Sequence, residues 1–105
     1  MVASQHNAWI HAAATIAVVA MGILLRIPAT NWCLLTLAVT SVWVAEALNT
    51  AFEYLCDVAS PEFHPLVKKS KDVAAGAVLL SASGAVIVGA IVFVPYLSDL
   101  VLSPP

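Results

Sequence analysis

Charged side chains are scarce in this sequence, which has 4 lysines and arginines and 6 aspartates and glutamates among 105 residues. They make up 10% of the chain, whereas a soluble domain carries about 25%. Hydrophobic residues make up 62%, and the mean hydropathy is +0.99. The shortage of charge excludes an ordinary soluble domain. It indicates an integral membrane protein with room for one domain over residues 1–105.

Three further absences argue against other classes of protein. The formal net charge is only −2 and there is no basic arm, so nothing favours a nucleic-acid partner. Cys33 and Cys56 would lie about 34 Å apart on one predicted helix, too far to form a disulfide with each other. No glycine-rich loop precedes a Lys-Ser or Lys-Thr pair, so any nucleotide would bind without a Walker motif.

Three apolar stretches are long enough to cross a bilayer, which takes about 20 helical residues. We therefore predict an all-α integral membrane protein with spans over residues 8–27, 32–58 and 72–95. The first span should end before Pro28, because proline cannot continue the helix. The side chain of Asn31 is predicted to cap the second helix by accepting from a free backbone N–H group of its first turn.

Prolines and one aspartate predict the remaining boundaries. Ser60 is followed by a proline, which disfavours a helical residue before it, so the second helix should end there. Residues 60–70 should then form a loop. Asp72 suits the positive end of the third helix dipole. Pro95 should stop that helix, and residues 98–105 should form a short, loose tail.

The positive charges predict the orientation of the chain in the membrane. Lys68, Lys69 and Lys71 lie between the second and third spans, whereas Arg26 is the only positive charge where the first span ends and the second begins. Positively charged residues favour cytoplasmic loops, so the lysine loop should face the cytoplasm. The polar groups near this loop would then meet the cytoplasm, where ATP is available.

The second span carries a polar stripe. Glu46, Asn49, Glu53 and Asp57 fall at about 0°, 300°, 340° and 20° around a helix, so they share one face. Carboxylates are costly to bury in a membrane and therefore mark a candidate functional site. One or two carboxylates, together with substrate phosphates, can hold Mg²⁺. Glu46 is the deepest acid and is placed to take a proton from a lipid hydroxyl.

These residues also have plainer interpretations. A glutamate in a span can relay protons or bond to another helix, and lysines between spans are an ordinary topology signal. His11 is interpreted as a structural partner of a polar group. The rival hypothesis is a non-catalytic three-span subunit whose buried carboxylates relay protons or hold helices together. It predicts no nucleotide dependence. The stripe and the Lys71-Asp72 pair that follows it favour phosphoryl transfer instead.

Three segments carry a family resemblance: Glu46-Ala-Leu-Asn-Thr-Ala-Phe-Glu53, Ser60-Pro-Glu-Phe-His-Pro65 and Lys71-Asp-Val-Ala-Ala-Gly-Ala-Val78. They strongly resemble the prokaryotic diacylglycerol kinase family, and their residues are most similar to its undecaprenol kinase branch. The resemblance implies a homotrimeric membrane kinase of the bacterial inner membrane with three spans per subunit. Such an enzyme transfers the γ-phosphate of ATP, with Mg²⁺, to a lipid hydroxyl, at sites between subunits on the cytoplasmic side.

The resemblance also implies roles for individual residues. Glu46 would act as the catalytic base, Asn49 would orient substrate or phosphate, and Glu53 would hold the metal. The residues that it places at the nucleotide are Lys71 and Asp72, with Asp57 near the same site in a less defined role.

Two features depart from the family pattern. Family members have an amphipathic surface helix before the first span, whereas only a few residues precede Asn7 here, so we expect this helix to be missing or truncated. Gln5 stands where the family often has a metal-binding glutamate, and a neutral amide is a poorer ligand for Mg²⁺. The acceptor stays open between undecaprenol and diacylglycerol, because apolar surfaces discriminate weakly.

Overall fold

The chain folds into long helices joined by short connections. The computed structural model describes the backbone of residues 2–102 and the side chains of residues 7–102. Over that range the elements are α1 (Val2–Leu25), α2 (Ala29–Ala59) and α3 (Pro65–Leu102). All three helices are long and apolar enough to cross a membrane, which confirms the prediction of an all-α chain with three spanning helices.

The helices form an elongated bundle of 64 × 21 × 18 Å. α2 and α3 are antiparallel and share the larger interface, while α1 packs on α2 in a smaller one. The Asp57 carboxylate meets the Lys71 ammonium near the α2–α3 loop. At the opposite end of the bundle, the core consists of Ile27, Leu35, Val92 and Phe93. The two ends therefore differ, with charged groups at one and apolar packing at the other.

The turn after α1 is a Schellman motif. Arg26 has a positive φ of 53°. Its N–H donates to Ile23 O at 3.2 Å, and the N–H of Ile27 donates to Gly22 O at 3.2 Å. These two bonds satisfy carbonyl groups that the end of a helix otherwise leaves free. The first helix therefore ends at Leu25, close to the predicted boundary, although it begins earlier than predicted.

The predicted cap of the second helix is wrong. α2 begins at Ala29, and the Trp32 N–H donates to Pro28 O at 3.2 Å. Pro28 therefore occupies the cap position, with φ −71° and ψ 165° and no capping side chain. Asn31 lies inside the first turn, because the proline carbonyl already accepts the first helical bond.

The third helix begins earlier than predicted, and most of the predicted loop is helical. Pro65 is the first helical residue, a position where its missing N–H costs nothing. His64 caps this end: its Nδ1 accepts from the Leu66 N–H at 3.1 Å, and its carbonyl accepts from the Lys68 N–H at 3.0 Å. Asp72 therefore lies two turns inside α3, and its predicted role at the helix start is wrong.

Pro95 does not stop α3, which continues to Leu102. A proline in a membrane helix removes one backbone donor, and neighbouring groups and local backbone adjustments compensate for it. The predicted tail is accordingly helical over residues 98–102. Residues 103–105 lie outside the described residues.

Candidate active site

The polar stripe of α2 runs from the interior of the bundle to its charged end. Glu46 and Asn49 are buried, with 4% and 7% of their surface exposed. Glu53 is half-buried, and Asp57 is exposed. This gradient follows from the helix itself, because four residues on one face span three turns between the helix interior and the loop. The structure thus brings the predicted polar residues of α2 onto one continuous face.

Glu46 is the most deeply buried acidic side chain of this face. Its Oε2 lies 3.5 Å from Nε2 of His11 on α1. Within the described part of the chain, neither carboxylate oxygen has a hydrogen-bond partner, and neither does Oδ1 of Asn49. Buried polar atoms are nearly always hydrogen-bonded, so such exceptions point to a catalytic role or to a bound group. Three unpartnered oxygens on neighbouring turns thus form a site rich in hydrogen-bond acceptors.

His11 is held by a network that sequence reasoning missed. The rings of His11 and Trp43 meet edge to face, with centroids 6.1 Å apart and planes at 65°. Trp43 Nε1–H donates to Thr15 Oγ1 at 3.0 Å, and the Thr15 hydroxyl donates to the His11 carbonyl at 2.7 Å. The sequence interprets His11 as a structural partner of a polar group, and the structure places it beside Glu46 at a distance longer than a hydrogen bond. The sequence could have indicated only the bond from Thr15 to the His11 carbonyl, because these residues are four apart on one helix.

The charged end holds two ion pairs. Lys71 Nζ donates to Asp57 Oδ1 at 3.2 Å, across the α2–α3 interface. Lys68 Nζ donates to Asp72 Oδ2 at 2.8 Å within α3. The structure therefore brings Asp57 and Lys71 together, while Asp72 pairs with a lysine one turn earlier. The side chain of Gln5 lies outside the described residues.

The donor set fits a divalent cation that arrives with phosphate. Among the described residues, no three His, Cys, Asp or Glu side chains come together as a metal cage. Mg²⁺ in phosphoryl-transfer sites is held by one or two carboxylates, with phosphate oxygens and water completing its coordination. The half-buried carboxylate of Glu53 is a ligand of the required kind.

Two apolar cavities lie near the buried part of the polar stripe, one lined by Asn49 and the other by His11. A groove of about 720 Å³ between α2 and α3 is lined by Leu48, Asn49 and Phe52, among others. A second cavity, of about 330 Å³, lies among the three helices and includes His11 and Trp43 in its walls. Asn49 of α2 and His11 of α1 thus stand at the edges of surfaces that suit hydrocarbon.

Fold and site together define a three-span membrane protein with a buried acid and an exposed charged end. The chain belongs to the prokaryotic diacylglycerol kinase family, because the sequence profile of that family matches residues 1–93. Its class is accordingly that of a lipid kinase. No solved structure is significantly similar to it.

Two relatives illustrate this membership. The chain is 37% identical over 94 residues to a protein of Bacillus subtilis named undecaprenol kinase, an alignment that covers 90% of this chain and 76% of the relative. It is 41% identical over 101 residues to a protein of Synechocystis sp. named diacylglycerol kinase, covering 95% of this chain. The chain spans 58% of the length of the Synechocystis relative. Both relatives are named as lipid kinases, although for different acceptors.

Proposed function

We propose that this chain transfers the γ-phosphate of ATP, in the presence of Mg²⁺, to the hydroxyl of a membrane lipid. The observation that carries the proposal is the buried, unsatisfied carboxylate of Glu46, one helical turn from Asn49, which lines the apolar groove between α2 and α3. A lipid chain can lie along such walls while its hydroxyl meets the carboxylate. The acceptor is undecaprenol, for recycling of a cell-wall carrier lipid, or diacylglycerol, for synthesis of phosphatidate.

Glu46 acts as the general base in this mechanism. It takes the proton of the lipid hydroxyl while the hydroxyl oxygen forms a bond to the γ-phosphorus. The bond from that phosphorus to the β,γ-bridging oxygen breaks, and ADP leaves with the electron pair. Asn49 orients the substrate or the phosphate through its amide, which can both donate and accept. Both side chains are buried, so they keep a defined position.

The charged residues nearer the loop bind the nucleotide. Mg²⁺, when bound with the phosphates, supplies positive charge that offsets the charge developing on their oxygens. Glu53 holds the metal from its half-buried position on α2. The nucleotide-binding residues that we propose are Lys71, Asp72, Asp57 and Gln5. The ammonium of Lys71 lies at the α2–α3 interface, and it can donate to a phosphate oxygen without leaving the site.

We further propose that residues 1–105 form one lipid-kinase domain that works as a homotrimer in the bacterial inner membrane. Many large apolar side chains are exposed in a single chain, which supports coverage by lipid and by neighbouring subunits. The lysines of the first turns of α3 support a cytoplasmic position for the charged end. The non-catalytic alternative is not favoured, because both relatives carry the names of kinases.

Transfer of labelled γ-phosphate tests this function. Purified protein in lipid-like micelles receives Mg-ATP and either undecaprenol or diacylglycerol, with Glu46→Gln as the blank. We expect transfer to at least one lipid, and a loss of about 10²-fold or more in the variant because it removes the base. Binding of Mg-ATP should survive in the variant. Absence of transfer to both lipids, together with no thermal shift on adding Mg-ATP, would contradict the proposal.

A further inference from the structure

We propose that His11 is a positioning residue for Glu46, and that the two oxygens of this carboxylate have different tasks. Oε2 faces His11 and is held by it, whereas Oε1 is the atom that receives the proton of the lipid hydroxyl. This inference rests on the proposed function. It assigns a role to a residue outside the polar stripe of α2. It places part of the catalytic geometry on α1.

The distance between the two side chains carries the first step of the argument. Nε2 of His11 lies 3.5 Å from Oε2 of Glu46, and the side chains are 15% and 5% exposed. The separation exceeds a hydrogen bond by about half an ångström. Catalytic hydrogen bonds are often long in the absence of substrate and shorten when the substrate binds. Among the described lysine, arginine and histidine side chains, His11 is the one that lies beside the Glu46 carboxylate.

The second step is that His11 is itself anchored. The indole of Trp43 packs edge to face on the imidazole. Thr15 then joins both neighbours, since it accepts from Trp43 Nε1–H and donates to the His11 carbonyl. The imidazole is held by its packing on the Trp43 indole, while the Thr15 hydroxyl bonds the His11 backbone, and a side chain fixed by packing can position another in turn. The contact between α1 and α2 therefore includes His11, the residue that faces Glu46.

The third step is chemical. The last torsion of a glutamate side chain is broad and roughly two-fold, so packing alone does not decide which carboxylate oxygen faces which neighbour. When the His11 N–H donates to Oε2, it fixes the plane of the carboxylate. Oε1 is then directed at the lipid hydroxyl. The proton of the lipid hydroxyl moves to Oε1, the lipid oxygen bonds to the γ-phosphorus, and ADP leaves with the electrons of the broken bond. His11 neither gains nor loses a proton, provided that the tautomer carries hydrogen on Nε2.

Three variants separate positioning from packing. His11→Ala removes the donor, whereas His11→Gln retains an N–H at a similar distance from the backbone. Ile16→Ala is the control, because Ile16 lies on the same helix, is 70% exposed and faces away from the bundle. We expect His11→Ala to lower kcat about 10- to 100-fold with the KM values for Mg-ATP and lipid unchanged. His11→Gln should recover most of kcat, and Ile16→Ala should retain it.

A measurement that needs no turnover accompanies the kinetics. The side-chain carboxyl ¹³C resonance of Glu46 in lipid bilayers is assigned by its absence from Glu46→Gln. We expect it to move in His11→Ala and to return toward its original position in His11→Gln. An unchanged resonance in His11→Ala would overturn the contact.

The kinetic outcomes are distinguishable from failure of the proposed function. An active wild type whose kcat is equal in His11→Ala overturns the positioning role alone. Equal losses in His11→Ala and His11→Gln with raised KM values also overturn it, since they indicate a packing role. A wild type inactive on both lipids overturns the kinase function and the positioning role together, even where the resonance still moves.

Discussion

Lys71 of α3 pairs with Asp57 of α2 at 3.2 Å, although Asp72 is its neighbour in the chain. Asp72 is engaged by Lys68, one helical turn earlier, at 2.8 Å. Side chains at adjacent helical positions point in directions about 100° apart, so Lys71 and Asp72 cannot share one partner face. All four side chains are more than a third exposed, and such pairs stabilise a fold by only about 0–1 kcal/mol. Their arrangement therefore bears on binding more than on stability.

The first prediction concerns the ammonium of Lys71. Lys71→Met should weaken the binding of Mg-ATP about 10- to 100-fold, because a charge-assisted bond to phosphate is lost. The free energy of unfolding should fall by less than about 1 kcal/mol, since the pair with Asp57 is partly exposed. Isothermal titration and unfolding in mixed micelles measure the two effects. Lys69→Met is the matched control, and an equal loss of affinity in that variant would contradict a specific contact.

The second prediction concerns metal binding by Glu53. Glu53→Ala should raise the Mg²⁺ concentration for half-maximal activity about tenfold or more, because one carboxylate ligand is removed. The measurement is a Mg²⁺ titration of phosphate transfer at saturating ATP and lipid. Glu62→Ala removes the same charge from the exposed α2–α3 loop and should leave the titration unchanged. Identical titrations for wild type and Glu53→Ala would remove Glu53 from the metal site.

The third prediction tests the close approach of α1 and α2. A Cβ on Gly22 would stand 2.7 Å from Cη2 and 2.8 Å from Cζ2 of Trp32. Gly22→Ala should therefore lower the free energy of unfolding by about 1–3 kcal/mol, because the indole must move. Gly84→Ala is the control, since a Cβ there meets nothing within 4 Å. Unfolding by detergent titration measures both variants, and equal effects would contradict the contact.

The fourth prediction tests the turn that ends α1. Arg26 has a φ of 53°, a conformation that costs a side-chain-bearing residue about 1–2 kcal/mol and glycine very little. Arg26→Gly should therefore be more stable than Arg26→Ala by about 1 kcal/mol. Both variants lose the same charge, so their difference in the free energy of unfolding reports the backbone alone. A more stable alanine variant would contradict the left-handed conformation.

Local pattern was sufficient for the number of helices and for the stripe on α2. Apolar run length predicts membrane spans, and a period of 3.6 residues places Glu46, Asn49, Glu53 and Asp57 on one face whatever surrounds the helix. Helix ends were harder to predict. Pro65 begins α3 and Pro95 lies inside it, because the effect of a proline depends on whether its missing N–H was needed.

The pattern of residues along one helix could not predict which side chains of different helices meet. Composition and periodicity predict three spans and a polar face, since both depend only on neighbours in the chain. The packing of α1 and α3 against α2 decides that His11 faces Glu46 and that Lys71 meets Asp57 instead of Asp72. Each contact depends on the rotation and offset of whole helices. Those are set by many distant side chains at once, such as the indole of Trp32 over Gly22.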